Sequence, residues 1–149
     1  MTPQKISIHH SDSNDGPDLQ WGGIRKWHMG IPPNGPRDGP YRDIGYHAGI
    51  ELIKDHYEIL IGRPWNQNGA HTLDHNWQAL GLCLVGDFTL VQPPDAQLRL
   101  AAKFVRFWME LYGIPITQVY RHKDLNPGLT ECPGQAFPWD AFIQLCGGA

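Results

Sequence analysis

Apolar and polar positions alternate in short, differently spaced blocks along the chain, and each block predicts one element. Lys5-Ile6-Ser7-Ile8-His9 alternates with β-branched residues, which predicts a buried strand with His9 at its C-terminal end. Asp12 to Pro17 is turn-rich. Asp18 is then placed to cap a helix over about Leu19 to Met29, with Ile24, Trp27 and His28 along one side and Gly30 as terminator. Pro32 to Pro40 holds four prolines and two glycines and must be loop. Ile44 to Ile53 and Tyr57 to Gly62 read as two strands of a hairpin turning at Lys54-Asp55-His56. Arg63 to Asn76 is irregular. Ala79 to Val85 is almost continuously apolar, the mark of a central strand covered on both faces.

Beyond it, Leu98, Ala101, Ala102, Val105, Trp108 and Leu111 recur at helical spacing. They predict a long helix opened by Pro93-Pro94-Asp95 and closed after Tyr112 by Gly113. Ile116 to Tyr120 reads as a last short strand, Arg121 to Phe137 as loop, and Pro138 to Leu145 as a terminal helix. Strands alternating with helices, without repeat or linker, predict one α/β domain over residues 1–149, with a mixed central β-sheet flanked by helices.

Composition narrows the partners. Hydrophobic residues make up 41% and charged residues 18% of 149 positions, enough apolar material for one folded core. A net charge of -3 argues against a nucleic-acid partner. No run approaches the roughly 20 apolar residues that cross a bilayer, so no stable membrane association is expected. Met1 to Ile8 lacks a basic start followed by a long apolar stretch, so the expectation is a chain made in the cytoplasm without a signal peptide. Cys83, Cys132 and Cys146 form an odd, irregularly spaced set, a poor disulfide framework. Reduced thiols, or a thiol held by metal, fit better.

Four segments carry candidate chemistry. His9-His10-Ser11 follows a strand, where a ligand would be held rigidly, although a histidine there also serves as an ordinary surface residue. His122 follows the last strand and Cys132 lies ten residues on. Imidazole and thiolate are both zinc ligands, and a catalytic zinc uses three protein ligands and one open position. The alternative for that segment is a solvated loop with an inert buried cysteine. Tyr46 offers a hydroxyl for an oxyanion, or else a core ring. Gly69-Ala70-His71 offers a further imidazole, or simply a loop histidine.

Taken in order, Ile8-His9-His10-Ser11, Arg25-Lys26-Trp27-His28, Asp43-Ile44-Gly45-Tyr46-His47, Gly69-Ala70-His71, Gly81-Leu82-Cys83-Leu84-Val85-Gly86, and Arg121-His122-Lys123-Asp124 through Thr130-Glu131-Cys132-Pro133-Gly134 resemble the type-2 N-acetylmuramoyl-L-alanine amidases. That family includes phage lysozyme-type amidases and animal peptidoglycan-recognition proteins. The resemblance runs from about Lys5 to Trp139. It implies Zn2+ held by His9, His122 and Cys132, with Tyr46 as a catalytic residue. A second catalytic position falls on Thr130, where phage lysozyme-type members carry lysine and catalytic recognition proteins carry threonine. His71 and His47 are expected to meet substrate, with His10 structural. Glu131 is a candidate proton donor by sequence proximity, or else faces solvent. Trp65, Trp77 and Tyr41 are candidates for stacking on sugar or peptide, or for packing; Trp27, Trp108, Trp139 and Cys83 read as core, and Cys146 as a bystander.

The implied activity is zinc-dependent hydrolysis of the muramic acid–L-alanine amide in peptidoglycan or muropeptides, by a monomer. The implied setting is a bacteriolytic phage-type endolysin reaching the cell wall through a holin-type pore. A cytosolic muropeptide-recycling amidase, a delivered toxin and a non-catalytic peptidoglycan-binding module are the alternatives. An unrelated structural metal site would instead need a fourth ligand, for which His10 and His47 are the candidates.

Overall fold

A computed structural model describes residues 1–14, 20–31, 35, 36 and 39–147. Five strands form one sheet: β1 (Lys5–His10), β2 (Ala48–Ile53), β3 (His56–Ile61), β4 (Ala79–Leu84) and β5 (Val119–Arg121), in the order β3-β2-β4-β1-β5. Only the β2–β3 hairpin is antiparallel; β4 pairs parallel with both β1 and β2, and β1 with β5. The mixed sheet matches the sequence pattern. Among the described residues four α-helices accompany it: α1 (Trp21–His28), α2 (Asp95–Tyr112), α3 (His122–Leu125) and α4 (Trp139–Leu145).

Successive strand side chains point to opposite faces, so the sheet sorts its own residues. Ile6, Ile8, Ile50, Leu80, Leu82 and Leu84 face α2 and α4, meeting Ala101, Val105, Trp108 and Phe142 in the main core. Gln97 of α2 reaches across this interface, its amide donating to the carbonyls of Ile50 (3.1 Å) and Val85 (2.7 Å). The opposite face carries Ser7, His9, Gly49, Glu51, Gly81 and Cys83. There Trp21 of α1 packs with Ile44, Cys83 and Val85. A β-carbon at Gly49 would lie 2.3 Å from the Trp21 ring, so glycine lets α1 sit down on β2.

Helix α1 has no side-chain cap of its own. Its first N–H groups are instead taken by the buried Glu51 carboxylate, which accepts from Gln20 and, at 3.0 Å, from Trp21. Asp18 and Leu19, the expected helix start, lie outside the described residues.

Several expectations shift. Residues 44–47 lie outside the strand and β2 begins at Ala48; ahead of it the Gly45 carbonyl accepts from the Ala70 N–H of the following loop. Residues 116–118 form a 3-10 turn rather than strand, with the Gln118 N–H closing back on the Pro115 carbonyl. The expected loop after Arg121 opens with the single-turn α3, begun by Asp124, whose carboxylate accepts from the Arg121 N–H and guanidinium. Leu111 and Trp27 are exposed, not core, whereas Trp108 and Cys83 are fully buried. Cys146 is buried in the core too.

Candidate metal centre

Parallel strands deliver their C-terminal ends to one edge of a sheet, which is where α/β proteins open their binding clefts. Here β1 ends on His9 and His10, β5 hands the chain to His122 at the start of α3, and Cys132 returns alongside, its carbonyl accepting from the Lys123 N–H at 2.9 Å. The result is an open groove of about 600 Å3. Its floor holds His9, Tyr46, His122 and Cys132, and one wall is formed by Gly23, Ile24 and Trp27 of α1.

The donor atoms of His9, His122 and Cys132 all lie within 4.8 Å of one another. Cys132 Sγ is 3.7 Å from His9 Nδ1. Zinc bonds of about 2.3 Å to sulfur and about 2.0–2.1 Å to nitrogen, arranged tetrahedrally, place such a pair about 3.6 Å apart, so this pair has the spacing of two zinc donors. Neither expected fourth ligand joins them. His10 turns away: its Nδ1 accepts from the Phe88 N–H at 3.2 Å and lies 3.9 Å from Asp87. His47 has no exposed surface. Its Nδ1 accepts from the Gly81 N–H (2.9 Å) and its Nε2 bonds the Gln67 carbonyl (3.0 Å), so it ties the start of β2 to β4 and does not line the groove. Among the described residues the cluster has three donors beside an open groove, and a catalytic zinc uses three protein ligands where a structural one uses four.

Protonation suits the same chemistry. Burial, reinforced by the neighbouring imidazoles, holds His9 well below the ordinary histidine range, and burial lowers His122 to about 4, so both are neutral ligands at pH 7. Burial pushes the Cys132 thiol up to about 12, against a backbone hydrogen bond from His10. A cation at the site is what would favour its thiolate. Burial also raises Tyr46 well above the ordinary tyrosine value, so its hydroxyl keeps its proton. The Tyr46 ring lies 5.2 Å from that of His9 and 6.2 Å from Trp21. Thr130 lines the groove, its hydroxyl oxygen accepting from the Cys132 N–H at 3.1 Å.

His71 also borders the groove, yet it sits beneath His9 with both nitrogens engaged by protein. Glu131 points outward and lies 3.4 Å from Lys123. Trp65 packs on Phe104 and Trp108 on the far side of the sheet, and Trp77 is exposed away from the groove; neither stacks at the site. Tyr41 packs against His28, ring centroids 5.5 Å apart. Sequence reasoning missed three contributors. Trp27 and Ile24 form groove wall, and their helical spacing gave no hint of which side of α1 met solvent. Asn126, just past the end of α3, bonds His122 Nε2 at 3.1 Å; with this stretch read as loop, no spacing pointed to it.

The chain is similar to known proteins along most of its length. A sequence model for N-acetylmuramoyl-L-alanine amidases, Amidase_2, matches residues 1–135. Human N-acetylmuramoyl-L-alanine amidase is 34% identical over 96 residues, 63% of this chain and 16% of the human protein. Peptidoglycan-recognition protein LB of Drosophila melanogaster is 33% identical over 95 residues, 63% of this chain and 39% of that protein. The chain thus spans well under half of these relatives. Among solved structures, the N-acetylmuramoyl-L-alanine amidase LysC from Clostridium intestinale URNW superposes with a TM-score of 0.79 at 27% identity, covering 99% of this chain and 87% of that one. Drosophila PGRP-LB superposes at 0.73 with 25% identity, covering 91% and 78%.

Proposed function

The chain belongs to the N-acetylmuramoyl-L-alanine amidase family, and from that premise we propose that it hydrolyses the amide joining muramic acid to L-alanine in peptidoglycan, with zinc as cofactor. The observation that carries this reading is the meeting of three ligand atoms and a protonated tyrosine at the floor of one open groove.

His9, His122 and Cys132 would hold the ion. Zinc bound there supplies Lewis acidity and a water whose pKa falls toward ~7. The protein's own groups do the rest. As the amide carbonyl becomes tetrahedral, its oxygen gains charge. The Tyr46 hydroxyl, kept neutral by burial, donates a hydrogen bond to it. The Thr130 oxygen already accepts a backbone N–H, which leaves its proton free to donate to the same oxygen or to a water beside it. Thr130 cannot bring the positive charge that lysine would. Glu131, turned outward beside Lys123, is not placed to protonate the leaving amine. Gly23, Ile24 and Trp27 give the groove a flat apolar wall for a sugar or stem peptide.

We place the enzyme as a phage-type endolysin that reaches the wall through a pore made by another gene product. The 27% identity and 99% coverage against a Clostridium intestinale protein titled an endolysine amidase support this setting. Mass spectrometry of digested cell walls tests the reaction: new N-terminal L-alanine should appear, and a chelator should prevent it. Binding of peptidoglycan without any such product would make the chain a recognition module instead. Activity on soluble muropeptides but not on intact wall would make it a recycling enzyme.

A further inference from the structure

Strand β1 ends on two histidines, and successive strand residues point to opposite faces. His9 lines the groove that α1 walls. His10 turns toward the segment after β4, where its Nδ1 accepts from the Phe88 N–H. On that side a second, smaller pocket of about 230 Å3 opens. Asp12, Thr89, Glu131 and Gln135 form its rim, and it shares Thr130 and Cys132 with the groove, so the two cavities meet at the candidate metal centre.

The pocket is held in shape by backbone. The Ala136 N–H donates to the Phe88 carbonyl at 2.9 Å, which ties the loop after Cys132 to the segment after β4. Gly134 has φ +100°, and a β-carbon there would lie 2.3 Å from that same carbonyl oxygen, so only glycine lets the two walls close. The Thr89 N–H donates to the Asp87 carboxylate at 2.9 Å, which fixes the Thr89 backbone.

The two cavities differ in chemistry. The α1 side offers Ile24 and Trp27, an apolar wall. The rim of the smaller pocket offers carboxylates, a hydroxyl and an amide. Such a set suits a ring covered in hydroxyl groups, each of which both donates and accepts. Bond count points the same way. In the substrate of the proposed reaction, only a lactyl carbon and an ether oxygen separate the scissile carbonyl from the muramic acid ring. The ring must therefore lie close beside the metal centre, while the peptide leaves from the other side of the amide.

We propose that the smaller pocket binds the muramic acid ring, so that the glycan lies on the side of Thr89 and Gln135 and the stem peptide runs along Ile24 and Trp27. This assignment rests on the hydrolysis proposed above. It is tested with the zinc-loaded protein on two substrates, an N-acetylmuramoyl peptide and the D-lactoyl peptide left when the sugar is removed. Two hydrogen bonds worth about 2- to 10-fold each should give the muramoyl peptide a KM roughly 4- to 100-fold lower. Thr89 and Gln135 are both exposed, and the double variant Thr89→Val/Gln135→Leu should lose most of that advantage, with kcat and all kinetics on the lactoyl peptide unchanged. Equal KM values in the wild type, or a variant impaired on both substrates alike, overturns the assignment. Failure to cut either peptide would refute amide hydrolysis instead, and NMR then decides the pocket. N-acetylmuramic acid should shift the amides of Thr89, Gly134 and Gln135, which D-lactate leaves in place. Shifts confined to residues 23–27 would put the sugar on α1 and overturn the assignment. So would shifts of Thr89 and Gln135 by a sugar-free, lysine-containing stem peptide, which would make the pocket an ammonium site.

Discussion

Tyr46 and Cys132 stand in the same groove but answer to different tests. Tyr46 is not one of the three clustered donors, so Tyr46→Phe removes a hydroxyl and leaves the candidate ligands in place. We expect kcat to fall roughly 100- to 1,000-fold, with one zinc per chain still found by metal analysis. Cys132→Ala removes a ligand and should abolish both metal and turnover; an active, metal-free Cys132→Ala protein would exclude the site. His47 yields a prediction of another kind. Burial lowers its pKa to about 4, below the unfolded value of 6.5, so the unfolded chain binds the proton first. Its neutral form contributes full stability above pH 6.5, and that contribution is lost as the pH falls toward 4, about 3 kcal/mol in all. His47→Gln can keep both backbone hydrogen bonds without titrating. Urea unfolding from pH 7 to pH 4, with chelator present throughout, should show a shallower loss of stability in His47→Gln than in wild type.

At the level of elements, α1 matters most because it forms a groove wall while bringing little core of its own. Only Trp21 and His28 are buried in it. It is held by Glu51 at its N-terminus, by Trp21 lying against Gly49, and by the Trp21 indole donating to the Ile61 carbonyl at 3.3 Å. Glu51→Ala would strand two helix N–H groups in a buried place, at about 1–3 kcal/mol for each donor left without a partner. Gly49→Ala would push the Trp21 ring off β2, an overpacking worth about 1–3 kcal/mol. Both variants should lower the urea midpoint and raise KM more than they reduce kcat, since the wall moves while the ligands stay. A fall in kcat with KM unchanged would show that α1 serves the chemistry and not the groove.

For the molecule as a whole, the candidate ligands come from residues 9, 122 and 132, and no unfolded chain holds them together. Metal binding there would therefore be coupled to folding. Free zinc at a hundredfold its Kd should stabilise the chain by about 2.7 kcal/mol, seen as a higher melting temperature in zinc than in chelator. Cys132→Ala should show no such difference. No helix among the described residues is long and apolar enough to cross a membrane.

Local spacing was enough to place β1, β4 and α2, because an element's own period is written in its own residues. The Ile6–Ile8 alternation, the apolar run at Ala79–Leu84 and Gly113 after Tyr112 needed no neighbour to be read. Motif order likewise pointed to His9, Tyr46, His122 and Cys132. Which partner each side chain meets was not legible, because a period says which face is apolar but not what covers it. Only packing decided that Trp27 borders a groove and Trp65 does not, that His47 ties down a strand, and that His71 lies against His9. Glu51 capping a helix some thirty residues earlier in the chain leaves no local trace. Convergence of three donors within 4.8 Å is a property of the assembled fold, set by the register of β1 against β5 and by the loop that returns Cys132 beside Lys123.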